Sequence, residues 1–249
     1  MTQYELFKQE GAREIAAQGA DAALKAASRE WINRAQARKY SYHFEWLGRP
    51  VIQYPQDIVA MQELIFAVQP DLIVETGIAH GGSLIFHASM LELNAACGGP
   101  PDASVLGVDI DIRAHNRAAI EAHPMARRIA MLQGSSVAPE IVAEVRARAA
   151  GRRRVLVSLD SNHTHAHVLA ELEAYAPLTS VGSYCVVFDT VIEDMPVELF
   201  HDRPWKPGDN PKTAVREYLK RHPEFEIDAA LDAKLLISVA PDGYLKRVR

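Results

Sequence analysis

The sequence predicts an α/β fold of Rossmann-like design: a mainly parallel sheet with helices on both faces and an antiparallel hairpin at its C-terminal edge. Three observations carry this. Short apolar runs alternate with helical stretches of roughly 10 to 15 residues, the signature of βαβ units. Four of those runs, 71–75, 104–109, 154–160 and 183–189, are continuously apolar and then close on Glu75, Asp109, Asp160 and Asp189. Unbroken apolarity suits strands covered on both faces. The chain ends in two short apolar pieces around Pro241-Asp242-Gly243, and Asp-Gly favours a tight turn.

In chain order, residues 3–38 are rich in Ala, Glu, Gln, Lys and Arg and lack proline, which predicts one or two helices ahead of the core. Residues 40–55, YSYHFEWLGRPVIQYP, are aromatic and carry Gly48, Pro50 and Pro55, so they are expected to be irregular and to pack on the core or line a pocket. From residue 57 the pattern is regular. Helices are expected over 57–69, 80–93, 113–122, 139–150, 164–175 and 211–221. Strands are expected over 71–75, 104–109, 129–132, 154–160 and 183–189, with 234–239 and 244–248 forming the terminal hairpin. Pro211 suits a first helical turn. The stretch 191–211, VIEDMPVELFHDRPWKPGDNP, is too long for a simple connection and is expected to be a lid. The organisation that follows is an extension over 1–56 and one α/β domain over 57–249.

Composition narrows the function. The 249 residues are 48% hydrophobic, which supplies a core and excludes a disordered chain. Cys97 and Cys185 are the only cysteines, too few for a disulfide framework or a four-thiolate zinc site. A net charge of −5 disfavours nucleic acid as a partner. The N-terminus lacks the apolar segment of a signal peptide and no run is long enough to span a membrane, so a cytoplasmic protein is expected.

In an open parallel sheet, ligands bind at the carboxyl ends of the strands. Five segments fall there. Glu75-Thr76-Gly77-Ile78-Ala79-His80-Gly81-Gly82-Ser83 joins a strand to a helix through glycines that let a ligand approach the backbone; it is neither GxGxxG nor a Walker loop. Asp109 ends the next strand, where a carboxylate accepts ribose hydroxyls, with Ile110 beside it and Asp111 as a competitor. Gln133-Gly134-Ser135-Ser136 either contacts a base or caps the next helix. Asp160-Ser161-Asn162-His163 and Asp189-Thr190 offer oxygens suited to a hard cation such as Mg²⁺. His163 is either a general base or a positioner of those carboxylates. His163 and His167 have the i,i+4 spacing of a zinc helix, but no third soft ligand accompanies them. Around this rim, His43, Gln53, Asn162, His201 and Trp205 are candidate substrate contacts.

The ordered set ETGIAHGGS, GVDID, QGSS, LVSLDSNHTHAHV and YCVVFDT resembles the class I S-adenosylmethionine-dependent methyltransferases. More closely it is similar to the cephalosporin hydroxylase-like, or rhamnosyl O-methyltransferase, family, from about residue 42 to 249. The resemblance implies a class I methyltransferase fold, S-adenosylmethionine as cofactor, Mg²⁺, and methylation of a sugar or natural-product hydroxyl. It implies cofactor contacts at Glu75, Thr76, Gly77, Gly81, Ser83, Asp109, Ile110, Ser135, Ser136 and Asp160. It also implies metal ligation by Asp160 and Asp189, proton removal by Asp160 or His163, and a homo-oligomer. Family members often carry Glu-Asp where this chain has Phe188-Asp189, so one carboxylate is absent; Asn162, Glu193 or a water is the available substitute. Two other classes compete: a nucleotide-dependent oxidoreductase on a related sheet, and a non-catalytic subunit that keeps only cofactor binding.

Overall fold

The computed structural model describes all 249 residues. Two helices come first, α1 (Gln3–Ala20) and α2 (Ala22–Gln36). Each begins at a side-chain cap: Thr2 with Glu5 in a capping box, and Asp21 accepting from the N–H groups of Ala23 and Leu24. Residues 40–55 are more ordered than expected. A single 3₁₀ turn leads into a small antiparallel hairpin, β1 (Phe44–Trp46) and β2 (Arg49–Val51). Its turn is held by Arg49, which donates to the His80 carbonyl and to Asn116 Oδ1.

The body then runs α3 (Pro55–Val68), β3 (Leu72–Thr76), α4 (Gly82–Ala96), β4 (Ser104–Asp109), α5 (Ala114–Glu121) and β5 (Ile129–Gln133). It continues with α6 (Pro139–Ala149), β6 (Val155–Leu159), α7 (His165–Tyr175), β7 (Tyr184–Val187), α8 (Pro211–Leu219), β8 (Phe225–Ile227), α9 (Ala229–Leu235) and β9 (Tyr244–Arg247). One seven-stranded sheet has the order β5-β4-β3-β6-β7-β9-β8. Its first five strands are parallel, and β9 is antiparallel to both neighbours. Side chains alternate across it: Leu72 and Val74 enter the core under α6, α7 and α8, while Ile73 enters the larger core under α3 and α4.

Register places the chemistry. Thr76 pairs with both Val108 and Leu159, and Leu159 pairs with Val187. Gly77, Asp109, Asp160 and Phe188 therefore leave the sheet at one level, with Asp189 one residue beyond. The strand order reverses between β3 and β6, so a crevice opens between them.

The terminal hairpin is a correction. Residues 234–239 are not a strand; β9 pairs instead with β8, and α9 lies between. The reason is Asp57, fully buried on α3. It accepts from Ser238 Oγ (2.6 Å), Tyr244 OH (2.7 Å) and the Val239 N–H (2.9 Å). That N–H is committed to a carboxylate and is lost to any ladder. Residues 191–211 are tied down at their base. Glu193 Oε2 accepts from Gly208 N and Asn210 Nδ2, and Lys212 Nζ bridges Asp194 and Asp242. No helix is long and apolar enough to cross a membrane.

Candidate active site

A cavity of about 190 Å³ sits at the β3–β6 crevice. Gly77, Ser83, Gln53, Asp160, His163 and Asp189 line it, and none of its lining residues is Lys or Arg. Gly77 has φ +90°, and a Cβ there would meet the Asp160 carbonyl oxygen at 2.1 Å. The glycine is required by the close crossing of these two strand ends, which brings both main chains against whatever fills the cavity.

Glu75 follows Ile73 onto the α4 side and is 1% exposed. One of its oxygens takes the Ser83 hydroxyl; the other lies 2.8 Å from His87 Nδ1. Sequence reasoning missed His87, whose spacing four residues after Ser83 puts both on one face of α4. Thr76 is buried, and its carbonyl accepts the Asp160 N–H. Gly81 is the left-handed residue at which α4 begins. Asp109 turns toward the same loop: Oδ2 accepts from the N–H groups of Ile78 (2.7 Å) and Ala79 (3.2 Å), and Oδ1 from Asp111 N (2.9 Å). Asp109 thus shapes the glycine turn, and with about four lone-pair positions on a carboxylate it keeps one acceptor position free of these bonds. Ile110 is 72% exposed beside it. Ser136 turns into the body instead: its hydroxyl lies 3.0 Å from His167 Nε2 and its carbonyl takes the Tyr175 hydroxyl. Ser135 uses its carbonyl to accept the Ala138 N–H.

Asp160, His163 and Asp189 converge, with one ligand atom from each lying within 4.8 Å of the others. His163 Nε2 is 3.1 Å from Asp189 Oδ2, and its ring stands edge-on to Trp205 at 4.7 Å between centroids. Asp189 has φ +56°, an uncommon backbone for a residue other than glycine, held as the chain turns from β7 into the next 3₁₀ turn. Burial, and then the nearby Asp189, Glu75 and Glu171, push the Asp160 carboxyl well above its ordinary range; a hydrogen bond from Gln53 opposes this. The two carboxylates, crowded together with His163 beside them and no Lys or Arg in the cavity wall, could hold a divalent cation. Phe188 is buried in the core at 4% exposure and contributes no donor. The two side chains named as substitutes are engaged elsewhere. Glu193 is committed to Gly208 and Asn210, and Asn162 Oδ1 accepts from the N–H and hydroxyl of Thr164 at the start of α7. His163 is the third group that arrives.

The candidate substrate contacts divide. Gln53 is brought in: its Nε2 donates to Asp160 Oδ2 at 3.0 Å. Trp205 reaches the site through His163. His43 is exposed beside Tyr40, and Tyr42 lines the cavity instead. His201 is exposed, its Nδ1 near the Glu198 carbonyl. A larger cavity, about 680 Å³, lies between α1, α2, α9 and the turn after Asp189; Ile15, Ile32, Val191, Met195, Lys212 and Asp242 are among its walls.

Comparison with known proteins agrees with this geometry. Residues 38–248 match the family model described as rhamnosyl O-methyltransferase/CmcI. A rhamnosyl O-methyltransferase of Mycobacterium leprae is 30% identical over 206 residues, covering 81% of this chain and 82% of that protein. The Mycobacterium bovis enzyme of the same name is 31% identical over 196 residues, covering 77% and 73%. Among solved structures, CmcI with Mg and SAM superposes with a TM-score of 0.54 at 19% identity, covering 84% of this chain and 78% of that one, a likeness of fold. An O-methyltransferase from Bacillus cereus in complex with SAH gives 0.52 at 14% identity, covering 80% and 81%. With most of its length matched, and with the strand-end carboxylates and glycine turn in place, the chain belongs to the rhamnosyl O-methyltransferase/CmcI family of S-adenosylmethionine-dependent O-methyltransferases.

Proposed function

We propose that this enzyme moves the methyl group of S-adenosylmethionine onto a hydroxyl of a rhamnosyl or closely related sugar, with Mg²⁺ held by Asp160 and Asp189. The observation that carries the proposal is the convergence of Asp160, His163 and Asp189 on the cavity walled by the Gly77 turn. Gly77, Gly81 and Ser83, with Glu75 behind them, would hold the cofactor's amino-acid end, Asp109 would accept from its ribose, and Ile110 and Ser135 would lie beside its base. Mg²⁺ bound at the carboxylates supplies positive charge that lowers the pKa of a hydroxyl and orients it.

The side chains do the rest. His163 takes the hydroxyl proton, because an imidazole is suited to proton transfer near neutral pH. The hydroxyl oxygen's lone pair forms the new bond to the methyl carbon as the carbon–sulfur bond breaks, and that electron pair stays on sulfur. Trp205 backs the imidazole and excludes water from it. Two free cysteines accord with a cytoplasmic, reducing setting. Exposed Tyr4, Leu6 and Phe7 on α1 favour self-association, which sedimentation at several concentrations checks.

The test is transfer of labelled methyl from S-adenosylmethionine to methyl α-L-rhamnopyranoside and to a panel of other glycosides. Turnover is expected to vanish in EDTA and to return with Mg²⁺. Full activity in EDTA removes the metal from the proposal. Transfer to other hydroxyl compounds but to no glycoside removes the sugar.

A further inference from the structure

Glu171 is a carboxylate that the reaction scheme does not use, fully buried on α7. Its Oε1 accepts the Ser161 hydroxyl proton at 2.7 Å. His167 and Tyr175 stand one helical turn to either side of it, so the three side chains form one stripe along α7. The Tyr175 hydroxyl donates to the Ser136 carbonyl. His167 Nε2 lies 3.0 Å from Ser136 Oγ and 3.3 Å from Ser161 Oγ. One helix face therefore holds two separate loops. Ser136 belongs to the loop after β5, and Ser161 follows Asp160 beyond β6; in the sheet, β4 and β3 lie between those two strands. The hydroxyls also settle which way the bridge is polarised. Ser161 has one hydroxyl proton and gives it to Glu171, so toward His167 its oxygen accepts. Nε2 carries the hydrogen, and the same N–H faces Ser136 Oγ.

We propose that His167 is a positioning residue for the cofactor: donating from Nε2 to both hydroxyls, it fixes the spacing between the loop that takes the base and the turn that carries Asp160. This rests on the reading that places the base beside Ser135. A cofactor reaching from the Gly77 turn to Ser135 lies across the gap between those two loops, so their spacing sets the width of its cleft. A cleft held at that width before the ligand arrives binds it more tightly, because less ordering remains to be done. Asp160 does not depend on the bridge in the same way, since Glu171 holds Ser161 independently of His167. The competing account has Ser136 donating to a bare Nε2. His167 then only fastens the loop ahead of α6, and Ser161 is left out.

The experiment uses the full chain and reads no turnover. Long-range ¹H–¹⁵N spectra of the wild-type histidines, with His167 assigned by its loss in His167→Gln, are expected to show the hydrogen on Nε2; a bare Nε2 overturns the inference. Calorimetry with S-adenosylhomocysteine then compares three proteins. His167→Phe fills the space without a donor and is expected to bind about tenfold more weakly, the size of one lost buried hydrogen bond. His167→Gln carries an N–H in place of the imidazole Nε2–H and is expected to stay within about threefold of wild type. Mg²⁺ titrated alone is expected to bind all three equally. Wild-type affinity in His167→Phe overturns the inference. So does a loss in His167→Gln as large as that in His167→Phe, which makes the effect one of packing, or a matching loss of Mg²⁺ affinity, which makes it general loosening. If His167→Phe does not fold, the wild-type tautomer and the His167→Gln affinity still decide. Hydrogen exchange on wild type keeps the underlying reading separate: S-adenosylhomocysteine is expected to protect the amides of residues 133–136. Absent protection sinks the placement of the base and the inference with it, whereas protection together with an unaffected His167→Phe sinks the inference alone.

Discussion

Replacing Gly77 with alanine tests the link between the strand-end crossing and catalysis. Two costs arise. At φ +90° an alanine backbone is strained, worth about 1–3 kcal/mol. The added Cβ would also stand 2.1 Å from the Asp160 carbonyl oxygen, 2.6 Å from its carbon and 3.0 Å from Ser161 Cα. Ordinary contact begins at 3.4 Å, so one strand end must retreat by 3.4 − 2.1 = 1.3 Å. All three atoms at fault are main chain, and no rotamer relieves them. Together the two terms reach roughly 3–5 kcal/mol, within the range of the largest single-site effects. For a chain of this size that lowers Tm by roughly 6–20 °C. The retreat carries Asp160 with it, and a misplacement of about 1 Å costs on the order of 10²-fold in rate. Gly151→Ala is the control: φ is +79°, but nothing lies within 4 Å of the added carbon, so the backbone strain is incurred without displacement. Differential scanning calorimetry and methyl-transfer rates on both variants separate the terms. If Gly77→Ala matches Gly151→Ala in both Tm and rate, the crossing has slack and the reasoning fails.

Three further outcomes are expected. Asp160→Asn removes a carboxylate of the cation site while keeping its shape: turnover should fall by at least 10³-fold, as for loss of a principal electrostatic group, with S-adenosylhomocysteine affinity within twofold of wild type; unchanged turnover discards the assignment. His163→Ala should cost about 10²–10⁴-fold in kcat, the usual range for a general base, and a loss confined to KM would make it a binding residue instead. Without metal, the protein should be more stable at pH 5 than at pH 7.5. Burial raises Asp57 to about 6 and Asp232 to about 7, and raises Asp160 as well, so the folded state holds protons the unfolded chain releases. That contribution is complete below the unfolded carboxyl pKa near 3.9 and is lost as pH climbs through about 6 to 7; for Asp57 alone it amounts to about 3 kcal/mol. A Tm that is flat or rising between pH 5 and 7.5 contradicts it.

The parts of the fold that were legible share one property: their hydrogen bonds close within a segment or between continuous apolar strands. β3, β4, β6 and β7 are runs of Val, Ile and Leu, and their periodicity states where they lie. What was hidden depends on partners distant in sequence. Residues 234–239 have the apolar content of a strand, yet Asp57, some 180 positions earlier, takes the Val239 N–H. The β1–β2 hairpin is too short to show a period, and it is fixed by Arg49 reaching the His80 carbonyl. The stretch 191–211 looks like a lid from its prolines and its length. Only the Glu193 carboxylate, taken up by Gly208 and Asn210, shows that it is strapped at its base.

The site follows the same logic one level up. Asp109, Asp160 and Asp189 were visible because they close apolar strands, and a parallel register brings such ends together whatever the details. Residue type alone could not say what each carboxylate then faces. Glu75 and Asp160 end neighbouring strands, yet Glu75 is enclosed by Ser83 and His87 while Asp160 opens on the cavity with Asp189. The difference comes from side-chain alternation: Glu75 is still within β3 and must point to one face of the sheet, whereas Asp160 lies just past β6 and is free of that constraint. The same step explains Phe188. It is level with Asp160 at the edge of β7 and packs in the core at that level, so a carboxylate in its place would have to be buried. With Phe there, no side chain replaces the missing carboxylate, and His163 stands beside the two that remain, its Nε2 3.1 Å from Asp189 Oδ2. The acidic total of the chain therefore matters less than which carboxylates sit at, or within two residues of, the last ladder pair.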